Sequence, residues 1–193
     1  WQVIQRLDPI LACKPDIVVL MIGSNDAMGS FDINSGLRYK RNNNLPEVPT
    51  FEKYKEQLSE ILKSLSGVPK IAVCTIPPLG ENKDSPANKH VEKFNNLIKL
   101  TSRNHNIDLL PVSESLWLSL DSRTYPLNSD YNPKGIKIMH RIFGGIFHHY
   151  IFKKSWNQIA KSKGQWILFD QIHLNETGAN IVHKIVKNYI STG

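Results

Sequence analysis

Apolar positions along the chain follow two different periods. Val3, Ile4, Leu7, Ile10 and Leu11 recur at helical spacing, then Pro15 and Asp16 break the pattern ahead of an unbroken apolar run at residues 17–22. The reading is helix, turn, buried strand. A polar stretch containing Asn42, Asn43, Asn44, Pro46 and Pro49 leads to Thr50, which is suited to cap a helix. The apolar face of that helix is Phe51, Tyr54, Leu58, Ile61, Leu62 and Leu65, and Gly67 ends it. Residues 71–76 make a second buried strand. Val91, Phe94, Leu97 and Ile98 then mark a helix, residues 107–112 a short strand, and Val182, Ile185, Val186 and Tyr189 one face of a terminal helix.

Helices alternating with continuous apolar strands predict an α/β fold, with a parallel sheet covered on both faces in a three-layer α/β/α sandwich. Three strands are few for such a domain, and the first helix has no capping residue before it. Residues 1–193 therefore read as a single incomplete domain whose N-terminal strands are missing. The chain has no internal repeat, no low-complexity linker, and no apolar run near the roughly 18 residues that argue a membrane span. It starts at Trp1 without an initiator Met or a leader, which leaves the compartment open, an extracytoplasmic one included.

Cys13 and Cys74 fall in a helix-like and a strand-like apolar segment, as two buried free thiols rather than a disulfide. The formal charge of +7 resolves into one region: residues 134–163 hold seven Lys/Arg and no Asp/Glu, while the other 17 basic residues balance 17 acidic ones. Within this basic amphipathic helical insertion, at about 133–165, Met139, Ile142, Phe143, Ile146, Phe147, Tyr150 and Ile151 form an apolar stripe flanked by Lys137, Arg141, Lys153 and Lys154. It reads either as a helical layer packed on the core or as a lid or surface for an acyl chain or an anionic membrane, with Gly144-Gly145 as its natural bend. His140, His148 and His149 read as part of a solvated basic face, not as metal ligands. No nucleic-acid reading motif accompanies the charge, so nucleic acid is not an expected partner.

Two short motifs carry candidate chemistry. Gly23-Ser24-Asn25-Asp26 follows the 17–22 strand directly, and open parallel sheets bind ligands beyond the carboxyl ends of their strands. Gly23 permits a sharp exit and close approach of another group, and Asn25 offers a neutral amide N–H for a developing oxyanion. The plain alternative is an Asx turn that closes the strand. Asp170-Gln171-Ile172-His173 comes just ahead of Asn175 and Gly178 at the start of the last helix. A carboxylate three residues from an imidazole fixes the ring's tautomer and stabilises the imidazolium. Here the plain alternative is a surface Asp and His beside a helix start that Asn175 caps. Ser24, followed by Asn25, Asp26 and Ala27, lacks the Gly-X-Ser-X-Gly setting of an elbow nucleophile. With no Gly-rich phosphate loop, zinc-spaced Cys/His pair or His-Glu-X-X-His helix, no cofactor and no metal is expected.

In this order and placement the two motifs resemble the third and fifth sequence blocks of the SGNH (GDSL-like) hydrolase family, Gly-X-Asn-Asp and Asp-X-X-His. Lys14-Pro15-Asp16-Ile17-Val18-Val19-Leu20 and Thr75-Ile76-Pro77-Pro78 also look like that family's pattern, so the resemblance spans nearly the whole chain. It implies a flavodoxin-like α/β/α fold, His173 as general base, Asp170 as its orienting partner, Asn25 as oxyanion-hole donor, and Gly23 and Asp26 as supports of that loop. The implied reaction is serine-dependent hydrolysis of a small-molecule, lipid or carbohydrate ester. The family's first block, Gly-Asp-Ser with the nucleophile, and its second, whose Gly adds an oxyanion N–H, have no match here. Both are expected upstream, within roughly 50 to 60 residues, leaving these 193 residues inactive on their own. An O-acyltransferase would use the same triad, and a noncatalytic α/β binding module is the alternative of another class.

Overall fold

A computed structural model describes residues 1–126 and 130–192. They fall into two compact units, one formed by Trp1–Ile76 and Lys93–Pro111, the other by Pro77–Glu92 and Val112–Thr192.

In the first unit the chain runs through a 3-10 turn and α1 (Leu7–Ala12), β1 (Ile17–Leu20), α2 (Ser24–Gly29), α3 (Ile33–Asn42), α4 (Phe51–Ser64), β2 (Lys70–Cys74), residues 93–104 of α5 (Pro86–Asn104), and β3 (Asp108–Leu110). The strands form one parallel sheet in the order β1-β2-β3, with Val18 beside Ile71 and Val73 beside Leu109. Buried Leu7 of α1, Ile61 of α4, Leu65 and Val68 pack against the half-buried Val18, Leu20 and Ile71, so α1 and α4 cover one sheet face. Thr50 caps α4 as its sequence predicts, its hydroxyl accepting the Lys53 N–H at 3.1 Å. Phe94 of α5 is buried against the rings of Phe51 and Tyr54, with centroids 5.2 and 4.9 Å away. The Asn95 amide bonds both the N–H and the C=O of Ile76, at 2.7 and 3.2 Å, and so fixes the chain where it leaves β2. This open parallel sheet with flanking helices is the α/β arrangement of flavodoxin-like folds.

Three expectations for this unit are corrected. The chain between β1 and Thr50 is not all loop: α2 and α3 occupy its first part, with Asp32 capping α3 by accepting the Ser35 N–H at 2.9 Å, while residues 43–49 stay outside helices as read. β1, read as buried, is half-buried at all four residues because, among the described residues, only β2 pairs with it, and Met21 beyond it is exposed. Cys13 is exposed, since it lies just past the end of the short α1, whereas Cys74 is buried in β2; both are free thiols.

The second unit holds residues 86–92 of α5, then α6 (Val112–Asp121), α7 (Gly135–Tyr150), α8 (Trp156–Ser162) and α9 (Glu176–Ser191). α6 and α8 pack on α9, and α7 packs on α8. Ser155 and Gln158 close a capping box at the start of α8, and the Trp156 N–H donates to Glu176 in the first turn of α9 at 2.8 Å. α7 is one continuous helix that runs through Gly144-Gly145. Gly145 allows close approach, because a Cβ there would lie 2.9 Å from the Phe169 ring. The large apolar stripe of α7 does not form a layer on the core. Met139, Phe143, Ile146, Phe147, Tyr150 and Ile151 are exposed, and of the predicted stripe Ile142 alone is half-buried. Nor are its three histidines one solvated face: His140 is exposed, but His148 and His149 are half-buried.

Candidate active site

Gly23, Asn25 and Asp26 come together where the chain turns from β1 into α2. Gly23 has φ 119°, in the left-handed region, and a Cβ on it would sit 2.6 Å from the Tyr54 hydroxyl. Only glycine meets both demands. That hydroxyl donates to the Ile22 C=O at 3.1 Å, so α4 holds the strand end from below the turn. Asn25 follows in the first turn of α2 with an exposed side chain whose Oδ1 accepts from the Tyr39 hydroxyl over a long 3.4 Å. With its oxygen end engaged, the amide has its N–H donors left for another acceptor. Burial raises the Asp26 carboxyl above its usual range, and burial likewise pushes the neighbouring Tyr39 phenol up to about 12. A cavity of about 250 Å³ opens over the turn, with Met21, Gly23, Asn25, Asp26 and Tyr54 in its wall.

Asp170 and His173 are brought together in a tight loop that Leu168 and Leu174 close by an antiparallel bridge. Asp170 is 2% exposed, and its Oδ1 accepts the backbone N–H groups of Ile172 and His173 at 3.0 and 2.7 Å. Its Oδ2 lies 2.6 Å from His173 Nδ1. A carboxylate only accepts, so Nδ1 carries the proton and Nε2 is the lone-pair nitrogen. The hydrogen bond from His173 to Asp170 raises the imidazole pKa above its ordinary 6.5, against the opposing effect of burial. The His173 side chain is 54% exposed, so the ring combines a buried anchor with an accessible base.

Several residues hold this loop, most of them in roles that sequence reasoning missed, the Asn175 cap excepted. Gln171 adopts φ 78°, which costs a non-glycine residue of the order of 1 kcal/mol or more. Its C=O accepts the Gly80 N–H at 2.8 Å, and its side-chain oxygen accepts from the Arg141 guanidinium of α7. Glu81, 2% exposed, accepts the N–H groups of Trp166, Ile167 and Leu168 with its carboxylate, Ile167 at 2.7 Å. Asn175 caps α9 by accepting the Gly178 N–H at 3.0 Å and donates to the Trp166 C=O at 2.9 Å. A column of rings runs from α7 into the loop: His149 on Trp156 at 4.2 Å, Trp156 on Phe169 at 4.3 Å, Phe169 on His173 at 5.8 Å. The only sequence hint of this column is the aromatic density of residues 143–169. Glu81 has none, since its partners lie 85 to 87 residues away.

The chain belongs to the GDSL-like lipase/acylhydrolase family, whose model matches residues 2–186 and so runs through both units. Among solved structures, it is similar to Axe2, an acetylxylan esterase from Geobacillus stearothermophilus, with 15% identity and a TM-score of 0.64. That match covers 98% of this chain and 66% of the other. It is also similar to LAE5, an α/β hydrolase from the metagenome of Lake Arreo, Spain, with 16% identity and a TM-score of 0.57, over 96% of this chain and 64% of that one. At such identities the likeness is one of fold. No protein with a curated description matches the chain.

Proposed function

We propose that this chain carries the base and an oxyanion donor of a serine ester hydrolase, whose nucleophilic Ser lies in a segment outside these 193 residues. The observation that carries the reading is the 2.6 Å contact between buried Asp170 and His173, in a chain of this family, with Nε2 left as the lone-pair nitrogen of a half-exposed ring. In the proposed cycle the serine hydroxyl attacks the ester carbonyl as His173 Nε2 takes its proton. Asp170 holds the ring and stabilises the imidazolium, and the Asn25 amide donates to the tetrahedral oxyanion. Collapse expels the alcohol, which receives the proton from Nε2. Water, activated by the same nitrogen, then releases the acid.

Two features support an external serine. No Gly-Asp-Ser occurs in the sequence. β1, an unbroken apolar strand, is half-buried with one edge unpaired among the described residues, and the chain leaving it turns at Gly23 into α2. A further strand added there would bring its own carboxyl end beside the Asn25 turn.

The substrate class is a carboxylic ester of a small molecule, a lipid or a carbohydrate. The test is a protein extended upstream of Trp1 to include a Gly-Asp-Ser, assayed with a chromogenic acetyl ester. Hydrolysis is expected, and His173→Ala should lower kcat by about 10⁴-fold or more. Turnover that survives His173→Ala unchanged would falsify the assignment.

A further inference from the structure

The outer face of α7 is built unlike a solvated helix. At 100° per residue, Ile136, Met139, Phe143, Ile146, Phe147 and Tyr150 share an arc of roughly 100°, and all six are exposed, from 39% for Ile146 to 82% for Ile136. The inner arc carries buried Gly145 and half-buried Ile138, Arg141 and Ile142. The side chains with most to gain from leaving water are therefore the ones facing it. At about 100 Å² for each half-exposed side chain the stripe presents roughly 600 Å², the upper end of what soluble monomers expose. Exposed Ile151 and Phe152 extend it past the helix end.

The rim of this stripe selects what covers it. Exposed Lys134 and Lys137 stand at the start of the helix and exposed Lys153 and Lys154 beyond its end, and residues 134–163 contain no acidic side chain. An apolar centre with a wholly cationic border matches a phase that offers hydrocarbon at one depth and negative charge just above it. Among the described residues no helix is long and apolar enough to cross a membrane, so such a helix lies in the plane of the surface.

We propose that α7 and residues 151–154 form a docking surface for an anionic phospholipid membrane, with the Phe143 and Phe147 side chains entering the acyl boundary and the four lysines meeting lipid phosphates. The inference stands independently of the hydrolase reading. Where both hold, the bond from Arg141 on the inner arc of α7 to Gln171 ties the docked helix to the loop of the Asp-His pair. An ester embedded in the lipid surface is then the substrate closest to hand.

The experiment is vesicle flotation of the 193-residue chain with phosphatidylcholine alone and with added phosphatidylglycerol, at low and high salt. Binding is expected to the anionic vesicles only, and to be lost at high salt. Phe143→Ser with Phe147→Ser should weaken it at least about tenfold, because each ring forfeits its apolar transfer. Lys153→Glu with Lys154→Glu should weaken it by about fivefold or more per site. An unchanged thermal melt accompanies both variants if the fold is intact, and the lysine pair, being solvent-exposed, carries the test should the phenylalanine pair not fold. The proposal is overturned by negligible or equal binding to the two vesicle types, or by binding that neither variant changes. It is also overturned if the chain dimerises through this face, with Phe143→Ser and Phe147→Ser abolishing the dimer while vesicles bind nothing.

Discussion

Around His173 nearly every turn of the chain is bonded to something, whereas around Asn25 the support is conformational. The Asp-His loop is held by Glu81 on three amides, by Gly80 and Arg141 on Gln171, by Asn175 at the next helix, and by a column of four rings. The Asn25 turn depends on one left-handed glycine against Tyr54, and the Asn25 side chain itself has a single long contact to Tyr39. On the proposed function this difference has a reason: a base presents one nitrogen along one line and gains from a ring fixed from all sides, whereas an oxyanion donor meets its acceptor only as charge develops.

Deleting the donor has the largest consequence that follows from this contrast. In the upstream-extended enzyme, Asn25→Ala should lower kcat by about 10²- to 10³-fold with little change in KM or thermal stability, read from steady-state kinetics and a melt. A drop in stability instead would mean that the Asn25 turn is braced like the other half. The reverse pattern is expected at Glu81→Ala in the present chain. Three amides lose their acceptor at roughly 1–3 kcal/mol each, partly recovered by water, so denaturant unfolding should show a loss on the order of 3 kcal/mol. At the small end, Tyr39→Phe removes a hydroxyl whose two contacts, to Asn25 Oδ1 and Met28 Sδ, are both long, and should cost under about 1 kcal/mol, measured in the same way.

Much of the architecture was legible because strand and helix periods are local. Thr50, the face of α4 and the cap at Asn175 all emerge from residues within a turn of one another, and so does the pairing of Asp170 with His173. Periodicity says which side chains share a face, but not which way that face points. α4 and α7 have equally clean apolar stripes, yet α4 buries Tyr54, Leu58, Ile61 and Leu62 while α7 leaves its own in water. The half-buried state of β1 was hidden for a similar reason, since an apolar run records what a strand is suited to meet and not whether a neighbour is present. Glu81 and the ring column were out of reach because their contacts join residues that only the folded chain brings together. The helices α2 and α3 were masked by their polar composition, though Asp32 ahead of Ser35 was a legible cap.

The central claim is that Asp170 makes His173 a base of fixed tautomer, and an NMR pH titration of the His173 ring nitrogens tests it in the chain as it stands. The folded pKa is raised, so the pair's contribution to stability is complete below the unfolded value near 6.5 and fades as pH rises through the folded one. The account predicts a midpoint above 6.5, a neutral form protonated at Nδ1, and a fall in the midpoint on Asp170→Asn. A midpoint at or below 6.5 that Asp170→Asn leaves in place, or a neutral ring protonated at Nε2, would contradict it.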